Sequence, residues 1–147
     1  SDVCSSDLVD AAKADADEES ERRDEAELKA LKEAWGQTGS KLVQGGSKAV
    51  KELEKEQKAR STRMVRDYLD GALLDIVTLF RDILLVQSGS SESVINSDLT
   101  KEIEKVASST TAESTLGKIE AIMRARLNLA HNAAPLLTVE ALMVQLK

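Results

Sequence analysis

The sequence predicts an all-α protein: an antiparallel helical bundle with one long amphipathic helix, preceded by an acidic helical linker. Three observations lead there. Among 147 residues there are seven glycines and one proline, whereas a many-stranded sandwich or barrel needs a turn about every 8–12 residues. The aromatic residues are Trp35, Tyr68 and Phe80 alone, so the core is aliphatic. From Lys48 to Gln87 there is no proline, and the apolar residues recur at helical spacing. With 41% apolar and 31% charged residues, the chain has the composition of a folded soluble protein. It contains no stretch of about 18 apolar residues, the least that spans a membrane.

Ser1–Leu8 reads SDVCSSDL and fits no helix, strand or signal-peptide pattern. The string matches the translation of a common sequencing adapter. The expectation is therefore a non-native scar over 1–8, with the native protein extending upstream of Val9. Residues 1–35 carry 12 acidic and 5 basic side chains, and 36–147 carry 14 and 15, so the net charge of −6 belongs to one end. Between Ala11 and Glu27 the only apolar residue is alanine. A solvated helix or frayed linker is expected there, docking only through Leu28, Leu31 and Trp35, and ended by Gly36 and Gly39. The domain reading is a linker with a Gly/Ser-rich loop over 9–46 and a helical domain over 47–147.

In the long helix, Met64, Tyr68, Ala72, Ile76 and Phe80 make one ridge. Val65, Leu69, Leu73 and Val77, continued by Ile83 and Leu84, make the next. Forty residues reach roughly 60 Å, so the basic first half must project or lie along another element. A second loop covers Ser88–Ser97, with Val94 and Ile95 tucked inward and Asn96, Ser97 and Asp98 available as N-caps. The following helix points Leu99, Ile103 and Val106 inward. Thr110–Glu113 has capping-box spacing and opens a helix facing Leu116, Ile119, Ile122 or Met123, Leu127 and Ala130 to the core. Asn132 suits the left-handed cap, and Pro135 the first turn of a last helix that buries Leu137, Ala141, Leu142 and Leu146.

Signs of catalysis are few. One cysteine and one histidine rule out a disulfide framework and almost every His/Cys metal site. His131 at a helix C-terminus is accounted for by the macrodipole. Gly39-Ser40-Lys41 and Gly46-Ser47-Lys48 reverse the order of a phosphate-binding loop and follow no strand. Asp67, Asp70, Asp75 and Asp82 lack the paired histidines of a helical di-metal site. Ion pairs Arg63–Asp67 and Arg66–Asp70 on a solvated face explain them more simply. Lys48, Lys51, Lys55, Lys58, Arg60, Arg63 and Arg66 against Glu52, Glu54 and Glu56 form a basic stretch. The favoured reading is a solvated or subunit-facing surface. Direct DNA contact is the alternative, with no aromatic nearby for base stacking.

Asn132-Ala-Ala-Pro135-Leu-Leu137-Thr-Val-Glu140-Ala-Leu142 resembles the N-x-x-P-x-L-x-x-E-x-L ending of bacterial clamp-loader subunits. Glu54–Arg60, Arg66-Asp-Tyr-Leu-Asp70 and Phe80–Gln87 resemble the delta-prime subunits of DNA polymerase III in their actinobacterial form. The resemblance implies a C-terminal collar domain. Such domains hold five subunits in the ring of the ATP-driven machine that places the sliding clamp on primed DNA. By resemblance, Asn132, Pro135, Leu137, Glu140 and Leu142 serve as cap and packing residues. It also implies no catalytic, cofactor or metal site in this chain, and the other loader subunits (gamma/tau and delta) as partners. The sliding clamp and primed DNA are reached through the complex, in the bacterial cytoplasm. The alternatives are the collar of a gamma/tau subunit and a stand-alone helical nucleic-acid-binding protein.

Overall fold

Because almost nothing interrupts the helical periodicity, the helices are long. The computed structural model describes residues 2–35, 45–90 and 93–147. Among these are α1 (Asp2–Ala34), α2 (Gly46–Gln87), a short 3-10 turn (Ser97–Leu99), α3 (Thr100–Ser109), α4 (Ala112–Ala130) and α5 (Pro135–Gln145), and no strand. The bundle prediction therefore holds. The chain divides into two compact units, Asp10–Tyr68 and Ser1–Val9 with Leu69–Lys147.

Asp2–Leu8, which fits no helical pattern in sequence, is helical and continuous with the rest of α1. Nothing in Asp2–Leu8 is a glycine or proline, so no residue there opposes propagation once the following turns are formed. In the unit Asp10–Tyr68, α1 and α2 form an antiparallel hairpin. Glu19 meets Tyr68, Asp24 and Glu27 meet Arg60, and Trp35 lies against Gly45. The basic half of α2 thus lies along the acidic helix. Docking runs the opposite way from the expectation: Ala12, Ala16 and Ser20 are buried, Leu28 and Leu31 half-buried, and Trp35 40% exposed. Small side chains bury because they let backbones approach closely, which hydropathy alone does not register. Gly36 and Gly39, and the loop around them, lie outside the described residues. Gly45, at φ +97°, immediately precedes α2 with the Trp35 ring 3.2 Å from where a Cβ would sit, so a side chain there would be strained and crowded.

The unit Leu69–Lys147 with Ser1–Val9 buries Leu69, Leu73, Ile83, Ile103, Ile122, Leu129, Val139 and Leu142. Of the two α2 ridges, the one through Leu69, Leu73 and Ile83 is buried. Ala72, Ile76 and Phe80 are half-buried. Among the described residues, two helices close on a left-handed residue. Gly89 (φ +66°) follows α2, with its N–H donating to the Val86 carbonyl and that of Ser90 to Leu85. Asn132 (φ +65°) follows α4, with its N–H donating to Leu129 and that of Ala133 to Asn128. Each is a Schellman closure that satisfies the last carbonyls of its helix. The α4 N-cap is Thr111, one residue later than the capping-box spacing places it, and its hydroxyl accepts from the Ser114 N–H at 3.2 Å. Thr110 is occupied elsewhere: its hydroxyl donates to the Val106 carbonyl at 2.8 Å.

Candidate interaction surface

Before a surface can be presented, the helices that carry it must be fixed in rotation. Three polar devices do so. Asp82 is fully buried on α2 and accepts from the Ile95 N–H (3.1 Å), the Asn96 N–H (2.8 Å), the Asn96 side-chain amide (2.8 Å) and Arg81 (3.0 Å). Burial alone pushes this carboxyl up, and the Asn96 and Ile95 hydrogen bonds outweigh it, holding it below the usual carboxylate range. The α2–α3 connection is thereby anchored to α2. The expected N-caps are not used in that way: Asn96 caps nothing with its side chain, which is spent on Asp82. Ile95, expected to tuck inward, is 60% exposed, and its backbone makes the contact instead.

Asp70, expected to pair along its own helix, receives a two-point contact from Arg126 of α4 at 2.7 and 2.9 Å. The Arg126 hydrogen bonds hold the Asp70 carboxyl down and raise the guanidinium in turn. Gln87, the last residue of α2, donates to the carbonyl and hydroxyl of Thr110 at 3.0 Å each, so α2 satisfies a carbonyl just past the end of α3. No local signal marks a long-range cap of this kind. Within the hairpin, Arg60 is bound by Asp24 and Glu27, with Gln57 donating to the Asp24 carbonyl. Arg60, joined by Arg23, holds the Glu27 carboxyl down to about 2. Arg60 therefore leaves the basic contact surface, while Lys48, Lys51, Lys55, Lys58 and Arg63 are exposed.

With rotation fixed this way, α4 buries Thr115, Ala121, Ile122, Ala125 and Leu129. Leu116, Met123 and Leu127, expected inside, are instead 48%, 46% and 57% exposed. Their spacing of seven and four places them in one row, turned away from the buried face. On α5, Thr138, Val139 and Leu142 are buried, while Leu137 and Val144, seven apart, are 66% and 70% exposed on the other side. Leu137 is thus not a packing residue of this chain, and Ala141 is also exposed. On α3, Ile103 and Ala107 are buried and join Ile83, Leu79 and Phe80, but Val106, and Leu99 at the end of the preceding 3-10 turn, are 37% and 38% exposed. The sequence therefore carries two apolar faces on α4 where one was expected. Small residues (Ala121, Ala125, Thr115) face inward, whereas hydropathy points to the heavier row as the core. A helix apolar on both sides belongs against something on both sides.

Of the remaining motif residues, Pro135 opens α5 and Glu140 is half-buried on it. His131 is the exposed C-cap residue of α4, with its backbone N–H on the Leu127 carbonyl. Gly39-Ser40-Lys41 lies outside the described residues. Among the described residues no cluster of His, Cys, Asp and Glu is placed to hold a metal ion. None of the described helices is long and apolar enough to cross a membrane.

Comparison with curated proteins and with solved structures gives no match. Residues 67–146 match the family model described as DNA polymerase III, delta subunit, C terminal. That span runs from the middle of α2 through α5, takes in the exposed rows of α4 and α5, and covers more than half of the chain. The chain belongs to this family of C-terminal domains of DNA polymerase III delta subunits.

Proposed function

We propose that this chain is the collar part of a clamp-loader subunit of the delta-prime type. Its work is association: it holds its subunit in the ring of an ATP-driven loader and carries no nucleotide, metal or catalytic site of its own. The observation that carries this reading is the row Leu116, Met123 and Leu127 on α4, uncovered in the isolated chain although the helix already has a complete buried face. The outer residues of α5, Leu137 and Val144, extend the apolar surface available. Such surface is what a permanent assembly covers. The delta-prime assignment is supported by Asn132-x-x-Pro135-x-Leu137-x-x-Glu140-x-Leu142 and by the Phe80–Gln87 segment. Gamma/tau and delta subunits are the partners, the sliding clamp and primed DNA are reached through the complex, and the compartment is the bacterial cytoplasm.

The test is reconstitution. Mixed with gamma/tau and delta subunits, the chain should co-elute in a larger species by size exclusion with light scattering. Met123→Asp with Leu127→Asp should abolish this while leaving the helical circular dichroism unchanged. A chain that remains monomeric with every subunit would overturn the reading, as would a tight ATP site found by calorimetry. Added to a complete loader, it should displace delta-prime; displacement of delta or gamma/tau would assign it to that subunit instead.

A further inference from the structure

The hairpin Asp10–Tyr68 is charged differently on its two sides. Its contacts with α1 are made by Gln57, Arg60 and Tyr68 of α2. Helical spacing puts Lys48, Lys51, Lys55 and Lys58 on the side of α2 turned away from these, and all four lysines are exposed. Among the described residues none of the four is ion-paired, in contrast to Arg60, Arg23, Arg81 and Arg126. From Lys48 to Lys58 the row spans about 15 Å along a straight helix. No aromatic side chain stands between Lys48 and Tyr68, and Trp35, against Gly45, lies at the start of the row rather than along it, so the row offers no succession of rings on which to stack unpaired bases. Gln57, the amide nearest the row, is engaged with the Asp24 carbonyl and is not free to read a base edge.

We propose that this lysine row is a contact for the phosphate backbone of duplex DNA, independent of base sequence. It goes beyond the collar reading and does not depend on it, because it uses the other unit and other residues. The chemistry is that of charge neutralisation: regularly spaced ammonium groups on a rigid rod displace counterions from regularly spaced phosphates. A flexible single strand would need successive stacking partners along the row, where Lys48 to Lys58 supply none, and the family assignment to a DNA polymerase subunit makes duplex DNA the polyanion at hand. Asp24 and Glu27 of α1 are engaged with Arg60, and Glu19 with Tyr68, on the far side of α2 from the row. Glu52, Glu54 and Glu56 flank it and limit its strength.

Fluorescence anisotropy of the full chain with a short mixed-sequence duplex tests this. About four phosphate contacts give a slope near −3.6 in log K against log salt, so affinity should fall about a hundredfold between roughly 50 and 200 mM salt. In the variant K51Q/K55Q/K58Q about one contact remains, binding at low salt should collapse, and the same salt change should cost only about threefold. The variant E52Q/E56Q should bind more tightly than the parent chain, an outcome that damage to the fold cannot produce. Neither variant touches α4 or α5, so co-elution with loader subunits should persist in both and the two readings fail separately. The proposal is overturned by absence of duplex binding at low salt, by equal binding of the triple variant, or by preference for single-stranded over duplex DNA.

Discussion

Replacing Asp82 should damage the bundle more than any other polar substitution in it. The carboxylate is fully buried and accepts four hydrogen bonds, two of them from the backbone amides of Ile95 and Asn96. In Asp82→Ala those amides lose their acceptor, at about 1–3 kcal/mol each. Loss of the Asn96 side-chain and Arg81 contacts adds to this, giving about 4 kcal/mol in all, within the range for breaking a buried ionic network. For a domain of this size each kcal/mol moves the midpoint by about 4–8 °C, so a fall of about 15 °C or more is expected. Asp82→Asn keeps the shape but faces one amide donor with another, and should cost about half as much. The assay is urea and thermal unfolding by far-UV circular dichroism, with hydrogen exchange read at Ile95 and Asn96. Asp75→Ala, exposed on the same helix, is the control and should stay within about 0.5 kcal/mol. If Asp82→Ala costs no more than Asp75→Ala, the carboxylate does not hold the connection and the account of how α3 is placed fails. The sign with pH is fixed by the direction of the shift: Asp82 is held below its unfolded value, so its contribution is complete above that value and is lost as pH falls through the folded one.

Gly71→Ala and Gly117→Ala should each stabilise by about 0.5–1 kcal/mol in urea unfolding, because an added Cβ meets nothing within 4 Å at either position and both are mid-helix. Asn132→Val, by contrast, forces a β-branched residue to φ +65° and should cost about 1–2 kcal/mol, with Asn132→Gly neutral or stabilising. Glu27, held down to about 2 by Arg60, then Arg23, adds stability to the hairpin that is complete above its ordinary value of 4.5 and lost as pH falls toward 2. Glu27→Gln should flatten that part of the pH–stability curve, and an unchanged curve would show the pair to be idle.

The helices, the Asn132 closure, the Pro135 start and the unbroken run of α2 are legible in the sequence because each rests on local chemistry: periodicity, a left-handed cap, a missing N–H. The errors share a different cause. Hydropathy directs Leu116, Met123, Leu127 and Leu137 inward because it ranks large residues first, whereas Ala121, Ala125 and Thr115 face inward because helices pack closely there. Ala12, Ala16 and Ser20 escape notice for the same reason. Asp82 looks solvated in the sequence because its partners, the amides of Ile95 and Asn96, carry no side-chain signature. Arg126, Gln87 and Arg60 are likewise defined by partners distant in sequence, which spacing along one helix cannot reveal.

The two faces of α4 also bear on what kind of assembly the chain can enter. Fully burying a Leu or Met side chain stabilises by about 1.5–3 kcal/mol, and Leu116, Met123 and Leu127 are already about half covered. Completing their burial therefore leaves about 3 kcal/mol to gain, and adding Leu137 and Val144 brings the figure to about 5–6 kcal/mol. Bringing two chains together costs an estimated 4–15 kcal/mol, so these rows alone leave little or no net affinity for a single partner. On the collar reading this is an advantage. A subunit held between two neighbours meets that cost once and gains contacts on both sides, so the closed ring is stable where each isolated pair is weak. The buried core does not need the outer rows, since Ile122, Leu129, Val139 and Leu142 are enclosed without them. Leucines and a methionine at positions that polar residues would fill at no cost to the fold are best explained by contacts outside the chain.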